Sequence, residues 1–231
     1  MNIKSIILLL AVLLPPIATK IHAQISIHLD GSVNEWIEWG DTARHKARVQ
    51  EKDVLIYEDN NYYYIAVRSD AATIGSIFLQ RQDTVRILHA SWALDDAVYL
   101  LNKPDSNRIK PFYFRFRHPL SRNPSANVSG LSVEMELYAY LQQHGWAASM
   151  IPMGSSNEVE FVISKKIAPK GTRLAITYTG LPEGGKATDA AVLKYFPAGC
   201  IITGNDKQDD ALHRGSVPRY QGFRVQGWYE V

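Results

Sequence analysis

Short apolar runs alternate with polar, turn-forming segments beyond residue 24, and in many runs the hydrophobic positions recur at every second residue. The clearest pair is residues 54–57 and 62–68, which flank the segment Glu-Asp-Asn-Asn and predict a β-hairpin. Further strands are predicted at residues 25–29, 76–80, 85–89, 97–101, 112–117, 159–164, 174–179 and 222–231. The chain is therefore predicted to be mainly β.

Two segments depart from this pattern and predict helices. Ser32 and Glu35 have the spacing of a capping box, which predicts a short helix that ends by Gly40. A longer helix is predicted to end at Gly145. Its apolar face is predicted from residues spaced four and three apart, namely Leu131, Met135, Tyr138 and Leu141. Together these features predict an antiparallel β-sandwich, jelly-roll or immunoglobulin-like, with one or two short inserted helices.

The first 23 residues have the features of a secretory signal peptide. Lys4 precedes an unbroken apolar run at residues 6–14, and Ala23 supplies a small residue for cleavage. The run is far shorter than the roughly 20 apolar residues that a membrane-spanning helix needs. We therefore expect a signal peptide at residues 1–23 and a single domain at residues 24–231. The mature protein is expected to be exported to the periplasm, cell envelope or extracellular space, without a membrane span.

Charge changes the range of expected partners. The formal net charge is +2, and both excess charges, Lys4 and Lys20, lie in the predicted signal peptide. The remaining 208 residues carry 23 basic and 23 acidic side chains. Nucleic-acid-binding proteins use a surplus of Lys and Arg to displace counterions from phosphates. The balanced charge therefore argues against nucleic acid as a partner, and equally against a polybasic membrane-surface protein.

The common catalytic motifs are absent from the sequence: it has no Gly-x-Ser-x-Gly elbow, no phosphate-binding glycine loop and no His-Glu-x-x-His helix. His89 and Ser91 are two residues apart, which on a strand would place a base and a nucleophile on one face. The pattern specifies no acidic partner for them. No catalytic residue is assigned, and an exported hydrolase stays open as an alternative.

Acidic residues in turn-like segments are candidate ligands for Ca²⁺, which prefers carboxylate and carbonyl oxygens. Asp59 lies in the predicted hairpin turn, Asp95 and Asp96 follow Trp92, and another acidic pair occupies residues 209–210. Adjacent carboxylates are also common in solvated turns. Ca²⁺ is therefore the one candidate metal, and no other cofactor is expected.

Aromatic residues are the more informative feature. Outside the predicted signal the chain contains 5 Trp, 12 Tyr and 7 Phe. Flat indole faces stack on the C–H faces of sugar rings, while neighbouring polar side chains bond to hydroxyl groups. The candidate ligand-binding residues are Trp39, Trp92 and Trp146, with Asp95 as a polar neighbour, whereas Trp36 is expected in the core.

Three segments carry a resemblance to a known family. Residues 29–36 read Leu-Asp-Gly-Ser-Val-Asn-Glu-Trp, residues 59–67 combine an acidic turn with an aromatic and aliphatic strand, and residues 157–163 contain a Glu-Phe-Val-Ile element. In these features the chain resembles family 9 carbohydrate-binding modules and related DOMON-like sandwiches. The segments at residues 89–94 and 131–146 look like features of an uncharacterised exported branch. The resemblance implies a β-sandwich fold and a carbohydrate-binding role.

The predicted function is therefore that of an exported, non-catalytic domain that binds carbohydrate or a similar neutral polar ligand. The main alternative is a subunit that contacts another protein of the cell envelope. The exported hydrolase is the third possibility.

Overall fold

The computed structural model describes residues 28–39, 45–71, 73–101, 108–153, 157–182, 186, 189–216 and 222–231. Within these residues the chain forms thirteen strands, all paired antiparallel, in two sheets. The predicted signal peptide and most of the predicted first strand lie outside the described residues. The predicted mainly β, antiparallel sandwich is confirmed.

The strands are β1 (Lys46–Gln50), β2 (Val54–Glu58), β3 (Tyr62–Arg68), β4 (Gly75–Arg81), β5 (Thr84–Ala90), β6 (Ala93–Leu100), β7 (Arg108–Lys110), β8 (Phe116–Arg117), β9 (Trp146–Ala148), β10 (Glu158–Ser164), β11 (Arg173–Gly180), β12 (Val192–Phe196) and β13 (Tyr229–Glu230). The described helices are α1 (Asn34–Trp39), α2 (Pro119–Arg122), α3 (Gly130–His144) and α4 (Asp206–His213). One sheet has the order β1-β2-β3-β10-β9. The other has the order β12-β11-β4-β5-β6-β7, with β13 beside β11 and β8 beside β6.

The larger sheet is buried on both faces. Along β4, Ile77 and Leu79 belong to the main core shared with the smaller sheet, whereas Phe78 belongs to a second core. Leu212 of α4 and Trp228 lie in that second core. Since successive side chains of a strand point to opposite faces, packing on both sides explains why β4 is buried without interruption over its first five residues.

A buried carboxylate attaches the start of the described chain to the smaller sheet. Glu160 of β10 is fully buried, and its two oxygens accept hydrogen bonds from the Gly31 N–H at 2.7 Å and the Trp36 indole N–H at 2.8 Å. Glu158, two residues earlier, accepts a bond from the Val33 N–H at 3.1 Å. Two of the three segments that carry the family resemblance therefore contact each other through these carboxylates. Burial raises the pKa of Glu160 to about 9.

Helix α3 ends where its sequence predicts. Ser129 is its N-cap, and Gly145 ends it in the left-handed conformation, with φ of 78°. The predicted apolar face is wrong at Leu131 and Met135, which are 69% and 65% exposed, whereas Leu141 is buried as predicted. The buried residues are Val133, Leu137, Tyr140 and Leu141. Apolar residues occur on more than one face of this helix, so their spacing alone did not identify the face that packs against the rest of the protein.

Other elements also differ from the sequence predictions. Strand β6 begins at Ala93, so Asp95 and Asp96 lie in a strand instead of a turn. Of the predicted strands 112–117 and 222–231, only the ends form regular strands. The segment with the acidic pair at residues 209–210 is the helix α4, capped by Asn205. Helix α1 begins at Asn34, and the Glu35 carboxylate accepts the His28 N–H instead of closing a capping box.

Candidate functional site

The three tryptophans predicted to bind ligand lie in different environments. Trp146 is fully buried and packs against Tyr140 and Phe161, so it presents no face at the surface. Trp92 is 46% exposed, at the turn between β5 and β6. The structure therefore does not bring these rings together on one surface.

Trp39 belongs to an internal aromatic stack. Its ring is half-buried and stacks on Trp36, with centroids 5.4 Å apart, and on His45, with centroids 4.0 Å apart. Tyr57 and Tyr64 meet the Trp39 ring edge-on. As predicted, Trp36 is fully buried. Most of the Trp39 ring is thus engaged with the protein's own rings.

Asp59 closes the turn between β2 and β3. Its Oδ1 accepts hydrogen bonds from the Asn61 and Tyr62 N–H groups, both at 2.7 Å, and its Oδ2 accepts the Tyr64 hydroxyl at 2.6 Å. In the described part of the chain, no three His, Cys, Asp or Glu side chains are placed to hold a metal ion. Ca²⁺ binding at Asp59, Asp95 or Asp96 stays a prediction.

His89 bonds to a serine other than the one proposed from the sequence. Its Nδ1 lies 2.9 Å from Ser76 Oγ, whereas Ser91 Oγ donates to the Ala93 carbonyl at 3.3 Å. His89 is buried, and burial lowers its pKa to about 4. The pair of His89 and Ser91 therefore provides no accessible base and nucleophile.

A second buried histidine holds α4 on the same sheet. His213 Nδ1 lies 3.0 Å from Thr177 Oγ1, and the His213 carbonyl accepts the Ser76 hydroxyl at 3.1 Å. Burial lowers the pKa of His213 to about 3. Its Nε2 is buried without a hydrogen-bond partner among the described residues. Both histidines are therefore neutral at physiological pH and join α4 to β4, β5 and β11.

A cleft of about 450 Å³ lies beside the C-terminal half of α3, and we refer to it as the α3 cleft. Its walls come from β6, from the segment between β7 and β8, and from the last turns of α3. The lining residues are Leu94, Asp95, Lys110, Tyr113, Arg115, Phe116, Tyr140, Gln143 and His144. Of the residues proposed from the sequence to bind ligand, Asp95 alone is among them.

Asp95 positions the segment that forms one wall of the α3 cleft. Its Oδ2 accepts hydrogen bonds from the backbone N–H groups of Tyr113 and Phe114, the latter at 2.7 Å. Phe114 has a φ of 48°, which is unfavourable for a bulky residue. The two bonds to Asp95, and the packing of the Phe114 ring on His89, offset this cost. Asp95 thus fixes the backbone from which Tyr113 projects.

Four charged side chains in and next to the lining of the α3 cleft form ion pairs. Asp96 Oδ1 accepts Lys110 Nζ at 2.6 Å, and Asp96 Oδ2 accepts Arg86 Nε at 2.9 Å. Burial alone would raise the pKa of Asp96, but Arg86 and Lys110 hold it below its ordinary value. Lys110 Nζ also lies 3.5 Å from Asp95 Oδ1. These two aspartates and two cations neutralise one another.

The side chains at the opening of the α3 cleft suit a polar ring compound. Tyr113 is 55% exposed, and the Arg115 guanidinium lies 5.1 Å from the centre of its ring. The Tyr140 and His144 rings are 4.2 Å apart, and Gln143 beside them is exposed. Burial lowers the pKa of His144, so its imidazole is neutral at pH 7 and offers one donor and one acceptor. The opening therefore combines an aromatic face with hydrogen-bonding groups.

A second cleft, of about 390 Å³, lies beside the N-terminal half of α3 and includes His118 and Glu134 in its lining. Glu134 Oε1 accepts the Tyr138 hydroxyl at 2.7 Å and lies 2.8 Å from His28 Nδ1. Trp92 is near, since its carbonyl accepts the His118 N–H at 3.0 Å, but its ring is not part of the lining. The Glu134 carboxylate is thus engaged within the protein, and the α3 cleft is the better candidate site.

Comparisons with protein-family models, with curated proteins and with solved structures find no match to this chain. None of the helices that the structure describes is long and apolar enough to cross a membrane. The family resemblance of the three segments stays a prediction.

Sequence reasoning missed most of the α3 cleft, although the chain contains a signal for it. Residues 108–117, Arg-Ile-Lys-Pro-Phe-Tyr-Phe-Arg-Phe-Arg, interleave aromatic and basic side chains. Residues 112–117 of this segment were predicted only as a strand. The regular strand is interrupted at Phe114, which has a positive φ, and Asp95 of β6 stabilises this conformation by accepting the Phe114 N–H. The sequence of the segment does not show this interruption.

Proposed function

We propose that this chain is an exported, non-catalytic β-sandwich domain that binds a saccharide or a similar polar ligand in the α3 cleft. One observation carries the proposal: the exposed ring of Tyr113 borders a cleft whose other walls offer hydrogen-bonding groups. Export rests on the signal-like features of residues 1–23.

The α3 cleft matches the chemistry of sugar recognition. Its volume of about 450 Å³ is within the usual range for small-ligand sites. The face of Tyr113 can stack on the C–H groups of a pyranose ring. Gln143 and His144 can donate to and accept from hydroxyl groups on the opposite side. Stacking would supply affinity, and the polar groups would select among sugars.

The carboxylate content of the α3 cleft supports a binding function more than a hydrolytic one. Among the described residues that line it, Asp95 is the one carboxylate. Its Oδ2 accepts the Tyr113 and Phe114 N–H groups, and its Oδ1 accepts the Asp96 N–H at 2.7 Å. A glycosidase of the usual kind needs two carboxyl groups that flank the scissile bond. Asp95 instead has a positioning role.

A pair of aromatic variants tests the site. Wild-type protein is screened on a glycan array, and the affinity for a bound oligosaccharide is measured by titration calorimetry. Tyr113→Ala is expected to weaken binding about tenfold, since a stacked aromatic is worth 1–3 kcal/mol. Trp92→Ala, a similarly exposed aromatic outside the lining, is expected to bind like wild type. Loss of binding in Trp92→Ala alone would place the site elsewhere.

The envelope-interaction alternative has one observation in its favour. Leu131 and Met135, one turn apart on α3, are among the most exposed large apolar side chains described. Such a pair is a small apolar patch of the type that contacts other proteins. If this were the function, Leu131→Ser with Met135→Ser would abolish co-purification of a specific envelope protein. Saccharide binding would then be absent from wild type as well as from the variant.

A further inference from the structure

Arg115 lies in the wall of the α3 cleft, and two further arginines, Arg117 and Arg122, bond to the backbone of the segment that forms this wall. We refer to these three residues as the arginine rim. Arg115 lines the cleft and lies over the Tyr113 ring. Arg117 Nε donates to the Phe114 carbonyl at 3.0 Å, and Arg122 Nη2 donates to the Arg115 carbonyl at 3.4 Å. The three side chains therefore contact the segment of residues 113–115. All three arginines are exposed.

The arginine rim has no carboxylate partner in the part of the chain that the structure describes. From residue 106 to residue 133 the sequence contains no Asp or Glu. Asp95 lines the cleft and Asp96 follows it in β6, and both carboxylates are engaged by Lys110, Arg86 or backbone N–H groups. The rim therefore adds uncompensated positive charge to a site whose interior is neutral.

Building on the proposed function, we propose that the saccharide bound in the α3 cleft carries an anionic substituent, a carboxylate, sulfate or phosphate, that the arginine rim recognises. The planar guanidinium group presents a fork of donors that matches the oxygens of these groups. Arg115 is the main contact, because it alone of the three lines the cleft. Its guanidinium already lies over Tyr113, so the stacking surface and the charge are adjacent.

A saccharide fits the site better than a nucleic acid does. Among the described residues that line the cleft, Tyr113 is the one exposed aromatic ring, whereas single-stranded nucleic acids are usually bound by several stacking rings along a basic groove. Arg86 and Lys110, which lie closest to Asp95 and Asp96, do not extend the rim, because they are paired with these two aspartates. The positive region is therefore local, as suits one charged substituent.

The experiment compares the affinities of acidic and neutral saccharide probes by titration calorimetry at low and at high salt. The acidic probes are oligogalacturonate, a heparin-derived disaccharide and glucose phosphate, and the neutral probe is carboxyl-reduced oligogalacturonate. We expect at least one acidic probe to bind about tenfold more tightly than the neutral one at low salt. The preference should shrink at high salt, because exposed charges are then screened. The probe that shows the preference identifies the substituent.

Variants distinguish the arginine rim from charge in general. Arg115→Gln is expected to lose the preference for the acidic probe and to keep the affinity for the neutral one, and Arg115→Lys to recover only part of it. Arg81→Gln, an exposed arginine at the turn between β4 and β5, is the matched control and should bind like wild type. Thermal unfolding midpoints equal to that of wild type show that the variants are folded.

Three results would overturn the inference. Equal affinity for acidic and neutral probes would refute it while leaving the proposed function standing. Binding of no saccharide at all would refute the proposed function and the inference together. Tight, Arg115-dependent binding of a DNA oligonucleotide would identify the rim as a site for polyanions in general.

Discussion

Two acidic side chains fix parts of this protein that sequence patterns left undetermined. Asp95 holds the backbone of Tyr113 and Phe114, and Glu160 holds Gly31 and the Trp36 indole. Each accepts hydrogen bonds from a segment far away in the chain. Neither role was visible in the sequence, because a carboxylate that bonds to distant backbone groups has no local spacing signature.

Removal of the Asp95 side chain should loosen the wall of the α3 cleft. Asp95→Ala removes the side-chain acceptor of three backbone N–H groups, those of Tyr113, Phe114 and Asp96, and we expect it to lower the free energy of unfolding by about 1–3 kcal/mol. Saccharide affinity should fall as well, since Tyr113 is no longer held. Urea denaturation and calorimetry measure the two effects. Asp83→Ala, at the exposed turn after β4, is the control and should change neither.

Glu160 should make stability depend on pH above neutrality. Burial raises its folded-state pKa to about 9, so the folded protein binds a proton that the unfolded chain has already lost. Stability from this group is present below its unfolded pKa and is lost as the pH rises toward 9. We expect the free energy of unfolding to fall by about 2 kcal/mol between pH 7 and pH 9.

Glu160→Gln provides the control for this pH dependence. The amide oxygen can accept only one of the two donors, so the variant should be less stable than wild type at pH 7. Its stability should nevertheless be nearly constant from pH 7 to pH 9. An unchanged slope in the variant would show that another group titrates in this range.

At the scale of elements, the sequence predicted the type of several helices and strands and some of their ends, but it did not predict which faces pack together. The C-terminal end of α3 followed from Gly145, and the hairpin β2–β3 followed from its turn residues. The buried face of α3 could not be chosen, because Leu131 and Met135 form an apolar pair as regular as Val133 and Leu137. Which pair is buried depends on the sheet against which the helix lies.

Truncations on the two faces of α3 test this assignment. Leu137 is fully buried and Leu131 is 69% exposed. We expect Leu137→Ala to destabilise the protein by about 2–5 kcal/mol and Leu131→Ala by less than about 0.5 kcal/mol. Chemical denaturation measures both. The reverse order would mean that the helix packs through the face that its sequence spacing first indicated.

Helix α4 should make the protein sensitive to acid. His89 and His213 have pKa values of about 4 and about 3, because burial disfavours their charged forms. Each therefore contributes stability that is present above the unfolded pKa near 6.5 and is lost as the pH falls toward the folded value. In His89→Asn with His213→Asn, the loss of stability between pH 6.5 and pH 4 should be smaller than in wild type. Equal losses would contradict the assignment.

At the scale of the whole molecule, the net charge of the sequence did not predict the charge of the candidate site. The 208 residues after the predicted signal carry equal numbers of basic and acidic side chains, which suggested a neutral ligand. In the structure Asp95 and Asp96 are paired with Lys110 and Arg86, whereas the arginine rim has no carboxylate partner among the described residues. Net charge cannot reveal this, because it depends on which charges the fold pairs.

The fold class followed from the sequence because alternation and turn residues act locally. The site did not, since it combines β6, an irregular segment and the end of α3, whose proximity is a result of the tertiary fold. Trp92, Trp39 and Trp146 were chosen for residue type, whereas exposure beside a cleft selects Tyr113. Aromatic type is a property of the sequence, but accessibility is a property of packing.

Hydrogen–deuterium exchange in the presence of a bound oligosaccharide tests the central claim, that the α3 cleft is the ligand site, most directly. We expect slower exchange in peptides that cover residues 108–117 and 137–144. Peptides that contain Trp92, or residues 118–134 beside the second cleft, should exchange as in the free protein. Protection confined to Trp92 or to the second cleft, with residues 108–117 unchanged, would contradict the assignment of the site.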